Sequence, residues 1–371
     1  MKLKTIVRQE LKYILHRYIL PIVYNKYRKQ PLQKGKVIFA DSNSDTLPES
    51  MRLVYERLSE RDDLDIRLCL SDIRKLGIKG KLSFILSFMR EYATAEYVFI
   101  CNYFLPVTSC CKRKGTRVVQ LWHSCGLLKK FAYDTPDDIS PYYRGDVTKN
   151  ISMITVSSPA VKTVFENAYR LEGVKRKMVR AVGVSRTDVF FDEKYQEGCR
   201  QNLFERYPEF KGKKIVLYAP TFRGTAAAPE LVGEQSVISL QQKLGDDWAV
   251  IIKPHPHIRD VSSNCDIPTS ELFAAADVLI SDYSSLIFEY ALLKKPFVLY
   301  MPDHEDYIKE RGFYVSPETF PCEIVKNGDE LKESVLRAYG RKPDAAYDEF
   351  LKYHMGSCDG HSTDRILKIV K

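Results

Sequence analysis

The segment 276–300 constrains the fold more than any other part of the sequence, because it combines strand and helix patterns. Apolar runs at 278–280 and 297–300 have the length of buried strands, and a helical pattern covers 286–294 between them. Strands separated by one helix run parallel, and a parallel sheet needs helices on its faces. The segment therefore predicts an α/β domain built around a parallel sheet.

A polar turn, Asp282-Tyr283-Ser284-Ser285, joins the first of these strands to the helix. Ser284 or Ser285 is placed to cap the helix, whose first N–H groups have no partner within the helix itself. These N–H groups and the positive end of the helix dipole attract phosphate. An isolated turn of this kind is more often an ordinary capped helix, so the case for a phosphate site depends on the rest of the chain.

The size and composition fit a globular protein with two domains. The chain has 371 residues, of which 44% are hydrophobic and 28% are charged. Its apolar runs are shorter than the roughly 20 residues that a membrane-spanning helix needs, and no signal peptide is evident. Nine cysteines are scattered without a disulfide framework or a CxxC pair. We therefore expect reduced thiols and a cytoplasmic protein.

The net charge of +9 suits nucleic acid, a membrane surface or an anionic small substrate as partner. No basic and aromatic nucleic-acid motif is present, so we predict no nucleic-acid partner. Residues 1–36 carry ten lysines and arginines against one acid, Glu10, with apolar residues at helical spacing. This segment predicts a basic amphipathic helix that Pro21 kinks or ends. The helix would lie on an anionic membrane or, equally, pack on the domain with a solvated basic side.

Two series of alternating strands and helices follow this N-terminal segment. The first predicts an α/β domain over residues 37–200, and the second predicts another over residues 201–371. We place the junction in the charged, glycine-bearing segment 195–214. Residues 224–235 are small and polar and predict a flexible loop.

Chemically active side chains follow predicted strands of the first domain, at the edge where open α/β sheets bind ligands. His123 comes after the strand at 117–121, and its imidazole is suited to proton transfer near neutral pH. Arg186 comes after the strand at 179–183, and its guanidinium could fork onto a phosphate. Taken alone, a histidine in this position more often bonds to the backbone of a turn, and Arg186 could equally pair with Asp188.

The second domain repeats this arrangement. Thr221 and Arg223 follow its first strand and place a hydroxyl and a guanidinium at the sheet edge. Lys253-Pro254-His255 follows its next strand, and the prolines on either side of His255 would hold this turn stiffly. Two such domains predict a cleft between them that is lined by the polar residues at the strand ends.

Seven segments of the chain, in this order, resemble the CDP-glycerol glycerophosphotransferase family, whose members build teichoic acids and related phosphopolymers. They are WHSCGLLKK at 122–130, GVSRTD at 183–188, LYAPTFR at 217–223, KPH at 253–255, ADVLISDYSS at 276–285, KKPFVLY at 294–300 and RGFY at 311–314. Each motif is weak evidence alone, but the ordered set is specific. The resemblance extends from about Val37 to the C-terminus.

The resemblance implies an α/β fold of the GT-B type, with two Rossmann-like domains whose parallel sheets face a central cleft. It implies that His123 is the catalytic base and that His255, beside the donor phosphates, is a second catalytic residue. The turn after His123 lacks the first glycine of the family's WHGTPLK motif, and Glu289 replaces the usual Asp. The predicted substrate-binding residues, most of which match donor-site positions of the family, are Arg186, Thr221, Phe222, Arg223, Lys253, Asp282, Ser284, Ser285, Glu289 and Arg311.

The resemblance also implies a reaction. Glycerol phosphate or ribitol phosphate would pass from CDP-glycerol or CDP-ribitol to a hydroxyl of a lipid-linked saccharide acceptor, with no metal and no further cofactor. The family's polymerases have a large N-terminal region that is missing here, so a primase-like role is expected. We expect a peripheral protein on the cytoplasmic face of an anionic membrane. The open alternatives are a nucleotide-sugar-dependent GT-B glycosyltransferase or epimerase, and a non-catalytic nucleotide-binding protein of the same pathway.

Overall fold

The computed structural model describes residues 2–136, 138–221, 223–225, 228–254 and 263–370. The chain forms two compact units, each assembled from separate stretches of sequence. Unit 1 consists of Met1–His123, Phe131–Asp188 and Ser357–Lys371, and unit 2 consists of Ser124–Lys130 and Val189–Gly356.

Unit 1 is built on a parallel sheet of six strands. The strands are β1 (Gln33–Asp41), β2 (Asp65–Leu70), β3 (Ala95–Ile100), β4 (Arg117–Gln120), β5 (Met153–Thr155) and β6 (Val179–Arg180). Their order in the sheet is β2-β1-β3-β4-β5-β6. The helices of this unit are α1 (Lys2–Ile14), α2 (Leu20–Tyr27), α3 (Glu49–Ser59), α4 (Ile78–Tyr92), α5 (Pro159–Ala168) and, at the C-terminus, Ser362–Leu367. Val37 and Phe39 of β1 are fully buried in the core beneath the helices.

The basic N-terminal segment has two parts with different surroundings. A π-helical turn, Leu15–Ile19, separates α1 from α2, and Pro21 lies in the first turn of α2. The helix does not end at Pro21 but continues to Tyr27, and the missing N–H of Pro21 accounts for the π-helical turn just before it. Leu20 and Tyr24 of α2 are fully buried, and the Tyr24 ring lies 5.1 Å from that of Tyr92. The second part of the segment is therefore core, whereas α1 keeps apolar side chains exposed.

Unit 2 is built on a parallel sheet of five strands and a short hairpin. The strands are β7 (Lys214–Tyr218), β8 (Arg223–Thr225), β9 (Ala228–Glu230), β10 (Trp248–Ile252), β11 (Val278–Ser281), β12 (Phe297–Tyr300) and β13 (Glu323–Val325). The five-stranded sheet has the order β10-β7-β11-β12-β13, and β8 pairs with β9 in antiparallel fashion. The helices are α6 (Glu193–Arg206), α7 (Glu234–Leu244), α8 (Thr269–Leu272), α9 (Leu286–Ala291), α10 (His304–Arg311), α11 (Leu331–Gly340) and α12 (Ala345–Met355).

The two sheets share one topology, because in each the first strand lies between the second and the third. In such a sheet the connection after the first strand runs to one side and the connection after the third strand runs to the other, which opens a crevice at the carboxyl ends of these two strands. In unit 1 these strands are β1 and β3, and in unit 2 they are β7 and β11. The α/β prediction with two parallel sheets is thus confirmed, and the topology gives each unit one crevice of the kind in which open α/β sheets bind ligands.

Three expectations about the course of the chain differ from the structure. Unit 2 begins before α6 and not after residue 200, because Phe190 already packs on Phe273 with ring centroids 5.9 Å apart. The last fifteen residues, 357–371, belong to unit 1, where the carboxylate of Asp188 accepts hydrogen bonds from the amides of Ser362 and Thr363. The segment predicted as a flexible loop, 224–235, instead contributes to the β8–β9 hairpin and the start of α7.

Among the described helices, none combines the length and the apolar character that crossing a bilayer requires.

Candidate active site

The crevice of unit 2 lies where β7 and β11 end, and two predicted residues meet there. Asp282 follows β11, and Thr221 lies three residues beyond the end of β7. The Thr221 amide donates to Asp282 Oδ1 over 2.8 Å, and the Thr221 hydroxyl donates to Asp282 Oδ2 over 2.9 Å. Asp282 is 4% exposed, so the pair holds the two strand ends together from inside the sheet edge.

Arg223 lies at the centre of a charged network on this edge. Its Nη1 donates to Asp282 Oδ2 over 2.9 Å, and its Nε and Nη2 donate to the two carboxylate oxygens of Asp303. The guanidinium carbon lies 4.9 Å from the ring centroids of both Tyr283 and Tyr307, which stack 3.7 Å apart. Burial opposes the charge of Arg223, but the bonds to Asp303 and Asp282 outweigh it and raise the Arg223 pKa. The same bonds outweigh burial at Asp303 and lower its pKa.

Arg223 is therefore neutralised by two carboxylates, with all three guanidinium nitrogens engaged. This geometry gives Arg223 a structural role, because it links the strand ends that carry Asp282 and Asp303. Its predicted contact with substrate remains a prediction.

Lys129, which the predicted substrate-binding set omits, lies close to this network. The loop of residues 124–130 belongs to unit 2 and pairs with the segment after α10 through an antiparallel bridge between Lys129 and Phe313. The Tyr314 amide donates to Leu128 O over 2.8 Å, and the Lys130 amide donates to Gly312 O over 3.2 Å. Desolvation lowers the Lys129 pKa to about 8, the charge of Asp282 raises it, and the charges of Arg311 and Arg223 lower it further. Lys129 and Arg311 thus bring positive charge to the edge that carries Asp282.

A buried histidine anchors the same loop. The Leu127 amide donates to Nδ1 of His354 over 3.1 Å, and the imidazole stacks on Phe288 with centroids 4.6 Å apart. Gly126 has a φ of +63°, and a Cβ there would lie 2.4 Å from the Phe288 ring, so only glycine fits. Burial lowers the His354 pKa to about 3, which keeps the ring neutral and its acceptor nitrogen available. The conformation of the loop after His123 is therefore set by packing within unit 2.

The serine turn differs from its prediction in detail. Helix α9 ends at Ala291 and has six residues, shorter than the pattern at 286–294 indicated. Ser285 occupies the N-cap position without a side-chain capping bond, and the Ser284 hydroxyl accepts from the Leu286 amide over 3.3 Å. Both serines are partly exposed. A helix this short has a weak dipole, so the hydroxyls and neighbouring cations carry most of any attraction for phosphate.

Three other predicted residues of unit 2 have defined surroundings. Lys253 follows β10, and its Nζ donates to the carbonyl of Cys265 over 2.9 Å. Glu289 is only 2% exposed, so its carboxylate lies within the packed face of α9. Arg311 is the last residue of α10 and is partly exposed.

The corresponding edge in unit 1 carries His123, three residues beyond β4. Trp122 has a φ of +61°, a left-handed conformation that is strained for a bulky residue. Its ring is 4% exposed and packs edge-on against Phe165 at 5.2 Å and Tyr103 at 5.8 Å. The His123 ring lies 4.6 Å from the Trp122 ring and is exposed. The aromatic cluster thus fixes the strained backbone that turns His123 outward.

Arg186 also lies in unit 1, in the 3-10 turn Ser185–Phe191, and is partly exposed. His255 and Phe222, which the sequence also singled out, lie outside the described residues. In the part of the chain that the structure describes, no three His, Cys, Asp or Glu side chains are grouped to hold a metal ion.

Sequence reasoning missed Asp303, Tyr307 and His354. Asp303 follows β12, and a rule that every polar residue just beyond a strand end is a candidate would have found it. Tyr307 and His354 lie on helices with no distinguishing pattern, so only their packing reveals them.

The family model described as CDP-Glycerol:Poly(glycerophosphate) glycerophosphotransferase matches residues 22–371. The chain belongs to this family. The resemblance found in the sequence motifs is therefore confirmed. The teichoic acid ribitol-phosphate primase of Bacillus spizizenii is 33% identical over 92% of both chains. The teichoic acid poly(ribitol-phosphate) polymerase of the same organism is 31% identical over 95% of this chain, which spans only 59% of that polymerase.

Solved structures give the same fold. The wall teichoic acid polymerase TagF has a TM-score of 0.71 at 22% identity, covering 98% of this chain and 97% of TagF. A TagF variant soaked with CDPG has a TM-score of 0.72 at 20% identity with the same coverage. The UDP-GlcNAc 2-epimerase of Methanocaldococcus jannaschii has a TM-score of 0.53 at 14% identity, covering 91% and 99%. The predicted GT-B fold class is confirmed, and at these identities the likeness speaks for the fold alone.

Proposed function

We propose that this protein transfers a polyol phosphate, glycerol phosphate or ribitol phosphate, from a CDP-linked donor to an acceptor hydroxyl in teichoic acid or related phosphopolymer synthesis. The observation that carries the proposal is the crevice of unit 2, where hydroxyls of Thr221 and Ser284 accompany the cations Lys129 and Arg311. Family membership supplies the reaction class, and the relatives named above are teichoic acid primases and polymerases.

The proposed chemistry is an in-line substitution at the phosphorus that bears the polyol. His123 Nε2 or Nδ1 takes the proton of the acceptor hydroxyl, the resulting oxygen attacks that phosphorus, and the bond to the bridging oxygen of CMP breaks. The exposed imidazole of His123 is suited to this step, since a general base must reach its substrate. Phosphoryl transfer depends mainly on positioning and charge stabilisation, which we assign to Lys129, Lys253, Arg311 and His255. We propose that Arg186 adds a further contact to phosphate.

No metal is needed in this proposal, because lysine and arginine side chains can neutralise the charge that develops on the phosphate. Turnover in excess EDTA should equal turnover without it. Loss of activity in EDTA that Mg²⁺ restores would contradict this part of the proposal.

The acceptor is proposed to be lipid-linked, because α1 and the π-helical turn after it present an apolar stripe to the outside. Val7, Leu11, Ile14 and Tyr18 recur at helical spacing and are 51%, 63%, 46% and 57% exposed. Basic residues flank this stripe, as in helices that lie in the interface of anionic membranes. We therefore propose peripheral binding at the cytoplasmic face of the membrane.

Glutamate substitutions test the membrane proposal better than deletion of the segment, since α2 contributes to the core. Leu11→Glu with Ile14→Glu should abolish sedimentation with phosphatidylglycerol vesicles. Ile78→Glu with Val174→Glu is the matched control, because these side chains are 87% and 80% exposed elsewhere on unit 1. Equal vesicle binding by both double variants would remove α1 from membrane association.

Product analysis tests the function itself. The protein should be incubated with CDP-glycerol and, separately, CDP-ribitol, together with a lipid-linked disaccharide, and the lipid product weighed by mass spectrometry. We expect release of CMP and a product heavier by one or more polyol phosphate units. Release of UDP from a UDP-sugar, with no CMP from either CDP donor, would favour the glycosyltransferase or epimerase alternative. No turnover of any donor would favour the nucleotide-binding alternative.

A further inference from the structure

A cavity in unit 1 lies against the N-terminal segment, and its described lining includes none of the residues assigned above. Its volume is about 310 Å³, at the lower end for small-molecule sites. The wall from the N-terminal segment includes the π-helical turn, whose wider coil brings His16 and Arg17 to the same cavity. The residues that define its chemistry are Tyr13, His16, Arg17, Thr108, Arg144 and Lys149.

Positive charge dominates this lining. Among the described residues, no carboxylate forms an ion pair with Arg17 or Lys149. The one acid in the lining, Asp146, is already used: it accepts from the Thr148 amide over 2.8 Å and pairs with Lys175 at 3.0 Å. Burial favours the neutral acid, but these contacts outweigh it and lower the Asp146 pKa. Two cations are thus left to an anionic ligand.

The other lining groups suit hydroxyls better than charge. Desolvation, with a smaller contribution from Lys12, lowers the His16 pKa to about 4, so the imidazole is neutral at physiological pH. Neutral imidazole and the phenol of Tyr13 both donate and accept hydrogen bonds, as recognition of a sugar requires. Arg144 pairs with Glu10 and lies 4.2 Å from the Tyr13 ring, which fixes the loop of residues 143–149 on α1.

The exposed apolar stripe of α1 continues beside the cavity. Ile14 and Tyr18 are neighbours in sequence of Tyr13 and Arg17, but they are 46% and 57% exposed. One short stretch therefore offers an apolar surface on one side and a cationic, hydroxyl-binding cavity on the other. A ligand with a phosphate, a saccharide and an apolar chain matches this combination.

We propose that this cavity binds the phosphate-linked saccharide headgroup of the lipid acceptor, with Arg17 and Lys149 on the phosphate. We assign only the headgroup to the cavity, because its volume of about 310 Å³ is at the lower end for small-molecule sites and leaves no room for a long lipid chain. This assignment rests on the proposed transferase function, to which it adds an acceptor-binding site in unit 1.

The test is the double variant Arg17→Gln with Lys149→Gln. The control is Lys79→Gln with Lys177→Gln, which removes the same charge from exposed lysines of unit 1. With acceptor in detergent micelles, the test variant should raise the acceptor KM at least about tenfold, as for loss of one charge-assisted hydrogen bond. The donor KM should not change, and the control should behave as the parent.

A binding measurement separates failure of this site from failure of the function. Geranyl diphosphate, which carries two phosphates and a short apolar chain, is titrated in the presence of saturating CDP, which occupies the donor site. The parent and the control should bind it, and the test variant should not. Absence of binding by the parent overturns the proposal whether or not transfer is observed. An unchanged acceptor KM in the test variant also overturns the proposal. A KM that rises only in step with lost vesicle binding overturns it as well, because Arg17 and Lys149 would then bind bulk phospholipid.

Discussion

The carboxyl edges of the two sheets have the same strand order and opposite character. In unit 2 the edge is filled by a network of charges that neutralise one another, with Arg223 between Asp282 and Asp303. In unit 1 the edge presents one exposed imidazole, His123, on a strained residue held by aromatic rings. Sheets of the same topology thus carry a network of paired charges in unit 2 and a single exposed imidazole in unit 1.

This difference suggests how one fold divides binding from chemistry. A charge network that is largely buried is costly to assemble and intolerant of change, which suits the proposed role of this edge in holding the CDP-linked donor in one pose. An exposed imidazole can reach a mobile acceptor and exchange its proton with solvent. Substitutions in unit 2 should therefore affect folding and donor binding, whereas substitution of His123 should affect turnover.

The largest effect is expected from His123→Ala, which removes the exposed imidazole that distinguishes the edge of unit 1. Loss of a general base should lower kcat about 10²–10⁴-fold while thermal unfolding stays unchanged. His361→Ala is the control, since that imidazole is 72% exposed in the same unit and has no assigned role. Near-normal turnover by His123→Ala would show that the base lies elsewhere.

The next effect concerns stability of unit 2. Arg223→Met leaves the buried carboxylate of Asp282 and the partly buried carboxylate of Asp303 without their cation, and should lower the free energy of unfolding by about 3–5 kcal/mol. Arg337→Met removes an exposed pair with Glu323 and should cost at most about 1 kcal/mol. Urea denaturation measures both. Equal costs would mean that the Arg223 network does not brace the strand ends.

A smaller effect sharpens the role of the loop that begins after His123. The His354 pKa is about 3 in the folded protein, against an ordinary value of 6.5, so below pH 6.5 the unfolded chain takes up a proton that the folded chain does not. The free energy of unfolding should therefore fall by about 2 kcal/mol between pH 7 and pH 5 from this group alone.

His354→Gln and His354→Phe should both remove this part of the pH dependence, as denaturation curves at the two pH values would record. Only His354→Phe should also leave the Leu127 amide without an acceptor, at a cost of about 1–3 kcal/mol. An unchanged slope in both variants would mean that the ring is not held neutral.

The smallest effect distinguishes the charge of Lys129 from the charges of the neighbouring Arg223 and Arg311. With a pKa of about 8, Lys129 should lose its charge as pH rises above 8, so kcat/KM for the CDP donor should fall about tenfold in all across this titration and then level off. Lys129→Arg keeps the charge and should remove this alkaline limb from the profile. Persistence of the limb in that variant would assign it to another group.

The sequence predicted the fold well because strand and helix periods repeat without interruption over both units. Strands Trp248–Ile252 and Phe297–Tyr300 coincide with their predictions, since apolar runs bounded by polar turns leave little freedom. The unit boundaries were harder to predict from the sequence. The return of residues 357–371 to unit 1 depends on contacts between residues far apart in sequence, such as the hydrogen bond from the Ser357 amide to the Ser157 carbonyl.

The candidate site was predicted in part for the same reason. Thr221 and Asp282 follow adjacent strands, so topology alone brings them together. The sequence could not reveal that Arg223 is already neutralised by Asp303, because that carboxylate lies eighty residues away. Nor could it reveal that Lys129 belongs to unit 2, which depends on the pairing of residues 128–130 with 312–314.

Equilibrium binding of CDP to two variants tests the division between the units most directly. By calorimetric titration, His123→Ala should bind CDP as tightly as the parent although its turnover has collapsed. Lys129→Met should bind CDP about tenfold more weakly, as expected for loss of one charge-assisted contact with phosphate. Loss of CDP binding by His123→Ala in proportion to its turnover, together with parental binding by Lys129→Met, would contradict the account.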